Sequence, residues 1–222
     1  MIKAVFVDFY GTLVRENGPI VGEVLADICA AGEEKDPAPV FGFWWKRFGA
    51  LLKEANEGAF RSQYALARQA FEETTARFAS AADPEALCAR MVEHWSRPSP
   101  FSDALPFWQS LRQPCYIVTN SDSSFLDAAV GTLGLTPAGM VTSERAGAYK
   151  PDRRVFETAL RLAGLSAGEV VHIGDSLIND AAAASAVGIP ALWLNREEKS
   201  VPDGVTAVCD LREAGRWIRA RG

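Results

Sequence analysis

Residues 2–12, Ile-Lys-Ala-Val-Phe-Val-Asp-Phe-Tyr-Gly-Thr, run an apolar, β-rich stretch into one carboxylate, Asp8, and then into a turn containing Gly11. A strand that ends on an acid inside a sheet must satisfy that carboxylate, and a plain turn role does so poorly, so Asp8 reads as a group for chemistry. An aspartate can attack an electrophile and split one hard displacement into two through a covalent intermediate. Three later stretches also place polar groups where a strand ends or a helix begins: Thr119-Asn-Ser-Asp122, Tyr149-Lys-Pro-Asp152 and Gly174-Asp-Ser-Leu-Ile-Asn-Asp180. If the strand ends converge, Asp8, Asp175 and Asp180 face one cation, Lys150, and like carboxylates at close range raise one another's pKa unless another cation intervenes. An all-oxygen set of this kind suits Mg²⁺. Asp152 reads as a helix cap; for Asp175, which Ser176 follows, capping a helix that starts near Leu177 is the plainer alternative to its functional reading. His172 lies in a strand whose alternation turns it from the neighbours of Asp175, which suits a buried structural histidine, and His94 reads as a surface residue.

The elements that must hold these groups fall into two regimes. From about Pro19 to Trp95 apolar residues recur at helical spacing. Tyr64, Ala67, Phe71 and Phe78 share one stripe, and Asp83-Pro84 opens a helix that places Leu87, Met91 and Trp95 at four-residue steps. Phe41, Phe43, Trp44, Trp45 and Phe48 form the densest aromatic cluster, read mainly as core of this helical part. Arg97-Pro-Ser-Pro100 is a return linker. Beyond it, apolar runs at Cys115–Thr119, Val170–Ile173 and Ala191–Leu194 alternate with helices near 122–134, 152–163 and 177–187. The strand Ile2–Val7 needs these runs as partners, so the expected class is α/β: a Rossmann-like, doubly wound parallel sheet from residues 1–14 plus 98–222, with an all-helical insert at 15–97.

Bulk properties narrow the function. A formal charge of −5 opposes a broad nucleic-acid footprint. Cys29, Cys88, Cys115 and Cys209 show no metal-ligand or disulfide spacing and read as small buried residues. The N-terminus enters the first strand directly and no stretch approaches 18 uninterrupted apolar residues, so the expectation is a cytoplasmic protein acting on a small molecule, without a nucleic-acid or membrane partner. Nothing in the sequence sets the oligomeric state. The charge runs Glu33–Asp36 and Arg196–Lys199 fall at connections and read as solvated faces.

Taken together and in order, the four polar stretches resemble the motifs of the haloacid dehalogenase superfamily, with a helical cap after the first motif as in its capped members. The resemblance implies that Asp8 is the nucleophile, Thr119 the hydroxyl that binds the transferring group and Lys150 the cation steadying it. It further implies that Asp8, Asp175, Asp180 and the backbone carbonyl of Tyr10 hold Mg²⁺, and that Tyr10, Gly11, Thr12 and Asn120 line the substrate. The cap would set specificity.

Tyr10 departs from the pattern. Phosphatases of the superfamily usually carry a second Asp there to protonate the leaving group, and a phenol with a pKa near 10 is a poor substitute. Asp-x-Tyr-Gly-Thr instead resembles the 2-haloacid dehalogenase branch, in which a halide leaves without a proton. That branch, however, has Ser or Asn in place of Asp175, Tyr in place of Phe156 and an Arg early in the cap, for which only Lys46 or Arg47 are available. The leading expectation is a metal-dependent phosphatase of a small phosphorylated metabolite whose leaving group is stable as an anion, with Asp180 or a metal-bound water assisting the hydrolytic second step, followed by metal-free dehalogenation and then by a non-catalytic binding protein.

Overall fold

A computed structural model describes residues 1–221. Its chain order is β1 (Ala4–Val7), α1 (Pro19–Ala31), α2 (Pro37–Glu57), α3 (Gln63–Arg77), α4 (Pro84–Ser96), α5 (Ala104–Ser110), β2 (Cys115–Thr119), α6 (Ser123–Leu133), β3 (Gly139–Thr142) and α7 (Ser143–Ala146). There follow α8 (Arg153–Ala163), β4 (Val170–Gly174), a π-helical segment at Leu177–Ala182 that runs into α9 (Ala183–Ala186), β5 (Ala191–Leu194), β6 (Thr206–Val208) and α10 (Leu211–Arg219). All strands pair in parallel in the order β3-β2-β1-β4-β5-β6. Helices flank this sheet, as the doubly wound reading expects. Strand β1 lies between β2 and β4, with Val7 opposite both Ile117 and Ile173, so a residue just past its end meets both neighbours' ends.

Every residue of β1 and β4 is buried, as strands covered on both faces require. The sequence pattern locates these central strands well and misses β3 and β6, which are short edge strands paired on one side only. It also misses the short helix α5 and helix α10.

The described residues form two compact units. One comprises Met1–Glu16, Ser99–Asn120 and the residues from Leu133 onward; the other comprises Asn17–Pro98 with Ser121–Thr132. In the first, Phe6, Val118, Val141, Phe156 and Val170 build a continuous apolar core. In the second, Asp36, Ser62 and Asp83 cap α2, α3 and α4 through their side chains, with prolines in the first turns of α2 and α4. Leu87, Met91 and Trp95 are buried along α4, as their spacing predicts. Trp44 stacks on Phe48 and Phe71, and Phe48 on Trp95, so Trp44 and Phe48 are core there, while Phe41 and Phe43 are half-buried and Trp45 is 40% exposed. His94 is buried rather than on the surface: it packs so near Gly18 that a β-carbon there would come within 3.2 Å of the ring. Asp122 also has a structural role, accepting hydrogen bonds from the N–H groups of Gln63 (2.7 Å) and Tyr64 (3.0 Å) at the start of α3. Among the cysteines, Cys209 is exposed, against expectation.

Candidate active site

The site grows out of the turn that follows β1. Asp8 still belongs to the sheet, its N–H donating to the carbonyl of Ile173 at 2.9 Å. Beyond it the chain folds around one acceptor, because the N–H groups of Thr12, Leu13 and Val14 all donate to the carbonyl of Phe9. Gly11 makes this turn possible twice over. Its φ of +84° disfavours any side chain, and a β-carbon there would lie 2.5 Å from the carboxylate of Asp175. Gly174 has the same steric role opposite Asp180, whose carboxylate occupies the space a side chain would need.

Lys150 stands at the centre. Its ammonium donates to Asp8 Oδ1 at 2.7 Å, Asp180 Oδ1 at 2.5 Å and the carbonyl of Val118 at 3.1 Å, with almost no solvent exposure. Burial works to lower the lysine's pKa, but Asp180 and Asp8 outweigh it, so the ammonium is held charged well above its ordinary range. Asn120, expected among the substrate-binding residues, is turned to this lysine instead: its amide accepts from the N–H of Lys150 at 2.7 Å and donates to its carbonyl at 3.2 Å. Thr119 ends β2 and is buried beside them.

The carboxylates differ sharply in environment. Burial is also the largest influence on Asp180, but Lys150 and His172 overcome it and hold this acid down to about 2. Its other oxygen accepts from the N–H of Ser176 at 3.1 Å. Asp175 is pushed up to about 7, first by burial and then by Asp8 and Asp180. Burial likewise raises Asp8, with Lys150 pulling it back. Thr12 ties two of the acids together, its hydroxyl lying 3.2 Å from Asp8 Oδ2 and 3.1 Å from Asp175 Oδ1. Carboxylate oxygens of Asp8, Asp175 and Asp180 lie within 4.8 Å of one another. Three acids raised or restrained by a single ammonium form a hard, oxygen-only donor set with excess negative charge, which fits Mg²⁺.

Two histidine and helix-cap expectations change here. His172 does face the site, its Nε2 lying 2.9 Å from Asp180 Oδ1, because Asp180 folds back from the π-helical segment onto β4. Among the described residues the Nδ1 of His172 has no hydrogen-bond partner, and the ring packs edge-to-face with Phe156 at 4.9 Å. The cap of that segment is Ser176, which accepts from the N–H of Asn179, and not Asp175. Asp152 caps α8 as expected. Sequence reasoning missed Trp193, whose indole N–H donates to the carbonyl of Asp175 at 2.8 Å. It also missed Glu16, which reaches solvent yet is pushed up to about 8 by the surrounding protein and then by Asp175, Asp8 and Asp180. Tyr10 is half-buried with its ring edge-on to Phe9 at 5.0 Å.

A family model for haloacid dehalogenase-like hydrolases matches residues 2–188. The chain belongs to that family. Among curated relatives, a haloacid dehalogenase-like hydrolase domain-containing protein 3 of Danio rerio is 41% identical over 59 residues, 27% of this chain and only 24% of that protein's length. The (S)-2-haloacid dehalogenase of Pseudomonas sp. (strain YL) is 24% identical over 203 residues, covering 88% of this chain and 83% of the relative. The structure of the L-2-haloacid dehalogenase PA0810 superposes with a TM-score of 0.81 at 21% identity, over 98% of this chain and all of that one, a likeness of fold. As a haloacid dehalogenase-like hydrolase, the chain has the Rossmann-like sheet and helical insert that its motifs imply. Among the described residues, no helix is long and apolar enough to cross a membrane.

Proposed function

We propose that this hydrolase is a Mg²⁺-dependent phosphatase of a small phosphorylated metabolite, acting through an aspartyl-phosphate on Asp8. The observation that carries the reading is the convergence of carboxylate oxygens of Asp8, Asp175 and Asp180 within 4.8 Å of one another, with the Lys150 ammonium bonded to Asp8 and Asp180. Asp8, Asp175, Asp180 and the Tyr10 carbonyl would hold the ion, which when bound supplies positive charge to phosphoryl oxygens. Asp8 attacks phosphorus while the bond to the leaving oxygen breaks and that oxygen departs with the electron pair. Water then attacks the same phosphorus, releasing inorganic phosphate and restoring the carboxylate. Lys150, fixed in its charged form, steadies the charge on the transferring group, together with the Thr119 hydroxyl and the N–H groups of the turn. Asp180, held near 2, orients Lys150 rather than accepting a proton.

Tyr10 narrows the substrate. With no carboxyl two residues after Asp8, the preferred leaving groups are those stable as anions, such as acyl or aryl phosphates. Tyr10 also favours a second reading, 2-haloacid dehalogenation, as does the (S)-2-haloacid dehalogenase likeness. Three observations weigh against it. Asp175 adds an acid the dehalogenase pattern lacks, Phe156 is packed edge-on against His172, and Arg47 is bound to Glu73 and Glu54. Phosphate release from acyl, aryl and alkyl phosphates, with Mg²⁺ or chelator, tests the proposal. The expected result is metal-dependent turnover favouring acyl and aryl substrates, reduced about 10³-fold or more in Asp8→Asn. Halide release from a 2-haloacid, indifferent to chelator, would overturn it.

A further inference from the structure

Arg196 was expected on a solvated charge run, and the structure places it elsewhere. It follows β5 in a turn closed by Asn195, whose amide donates to the carbonyl of Lys199 at 2.7 Å and accepts from its N–H at 2.9 Å. From there the guanidinium makes a two-point pair with Asp103, Nη1 to Oδ2 and Nη2 to Oδ1, both at 3.0 Å. Nη2 also donates to the backbone carbonyl of Thr12 at 3.1 Å, and the group lies over the ring of Phe101 at 4.0 Å. Asp103 is itself fixed by the N–H of Leu211 at 2.9 Å, which anchors the pair to the start of α10.

Thr12 is the residue whose hydroxyl bridges Asp8 and Asp175. Its carbonyl is held by Arg196. The neighbouring backbone is also engaged, since Phe101 N–H donates to the carbonyl of Leu13 and Arg15 N–H to that of Ser99. We propose that Arg196 is a positioning residue: its guanidinium, held by Asp103 and lying over Phe101, clamps the Thr12 carbonyl and so fixes the turn that aims the Asp8 carboxylate and sets its spacing to Asp175. A planar guanidinium can hold a carboxylate, a carbonyl and an aromatic face together, whereas an ammonium cannot. The catalytic side of this inference rests on the proposed phosphatase reading; the positional side does not.

The test compares Arg196→Ala, Arg196→Lys and Asp103→Asn in the full chain by backbone hydrogen exchange and by Mg²⁺-dependent phosphate release. Asp103→Asn keeps an acceptor for Leu211 and the carbonyl contact of Arg196. Removing the clamp should speed exchange in Arg196→Ala at Gly11–Val14 tenfold or so, about 1.4 kcal/mol of local opening at RT ln 10, with β4 unchanged. Turnover should fall about 10²-fold in kcat with KM within about threefold, because misplacing a reacting group by an ångström costs that much, and Arg196→Lys should recover part of the loss. Loss of thermal stability with unchanged exchange in the turn and unchanged kcat would overturn the proposal, as would an Asp103→Asn defect equal to that of Arg196→Ala. If the wild-type chain releases no phosphate from any substrate, the phosphatase reading fails while the exchange experiment still decides the positioning role.

Discussion

Two clusters of charged side chains occupy the two units of this chain, and they are built on opposite principles. In the helical unit, Arg47 of α2 donates to both oxygens of Glu73 on α3, at 2.5 and 3.2 Å, and to Glu54 at 2.8 Å, while Gln69 reinforces Glu73. These groups are partly exposed, and the pairing holds Arg47 and Glu73 in their charged forms: hydrogen bonds to Glu73 and Glu54 raise the guanidinium, and the bond from Arg47 lowers Glu73. At the strand ends, by contrast, Lys150, Asp8 and Asp180 are buried, and the third acid is driven up toward neutrality. A cluster at rest spreads its charge into water. One that buries three acids with a single ammonium shifts their protonation instead, and that difference supports placing the proposed chemistry at the strand ends.

The contrast is sharpest if the cation is removed from each cluster. Lys150→Met leaves Asp8 and Asp180 buried without their shared partner and should destabilise the protein by about 3–5 kcal/mol at pH 8, measured by urea unfolding, besides abolishing turnover. The loss should shrink at pH 5, where the abandoned acids can protonate. A Lys150→Met variant within about 1 kcal/mol of the parent at pH 8 would show that the buried cluster is no more strained than the exposed one.

Much of this site was legible in the sequence, for reasons that differ residue by residue. Asp8 stood out because a buried parallel strand has no other use for an acid, and the four polar stretches each coincide with a strand end or helix start. Arg196, Trp193 and His172 were not legible. Each is set by a contact that strand periodicity does not report, to the Thr12 carbonyl, the Asp175 carbonyl and the Asp180 side chain respectively. Period-two alternation reports which face of the strand His172 takes, but not that Asp180 returns to that face from a π-helical segment. Strands β3 and β6 were missed because edge strands of four and three residues leave too short a pattern.

Titration separates the clusters next. Asp175, at about 7, is raised above its unfolded value near 4, so the native state binds more protons between those limits. Its contribution to stability is therefore full below about pH 4 and lost as pH rises through about 7; Asp180, held at about 2, contributes in the opposite sense, its stabilisation present above about pH 4 and lost only in strong acid as pH falls through about 2. Metal-free protein should lose a few degrees of Tm between pH 5 and 8, and Mg²⁺ should restore more at pH 8 than at pH 5, because it binds the deprotonated acids. A Tm flat across this range in chelator would remove the evidence for confined excess charge.

The smallest effect belongs to the other side of the comparison. Arg47→Met deletes three hydrogen bonds to carboxylates, yet both glutamates remain hydrated and the methionine keeps the apolar stem. The change should cost about 1 kcal/mol or less and leave phosphate turnover within about twofold. The same variant bears on the rival chemistry. If the chain were a 2-haloacid dehalogenase with Arg47 gripping the substrate carboxylate, Arg47→Met would raise KM for that substrate steeply while stability barely changed. The ion pairs to Glu73 and Glu54 already hold all three donating nitrogens of this guanidinium, so the arginine serves α2 and α3, and its loss should pass unnoticed at Asp8.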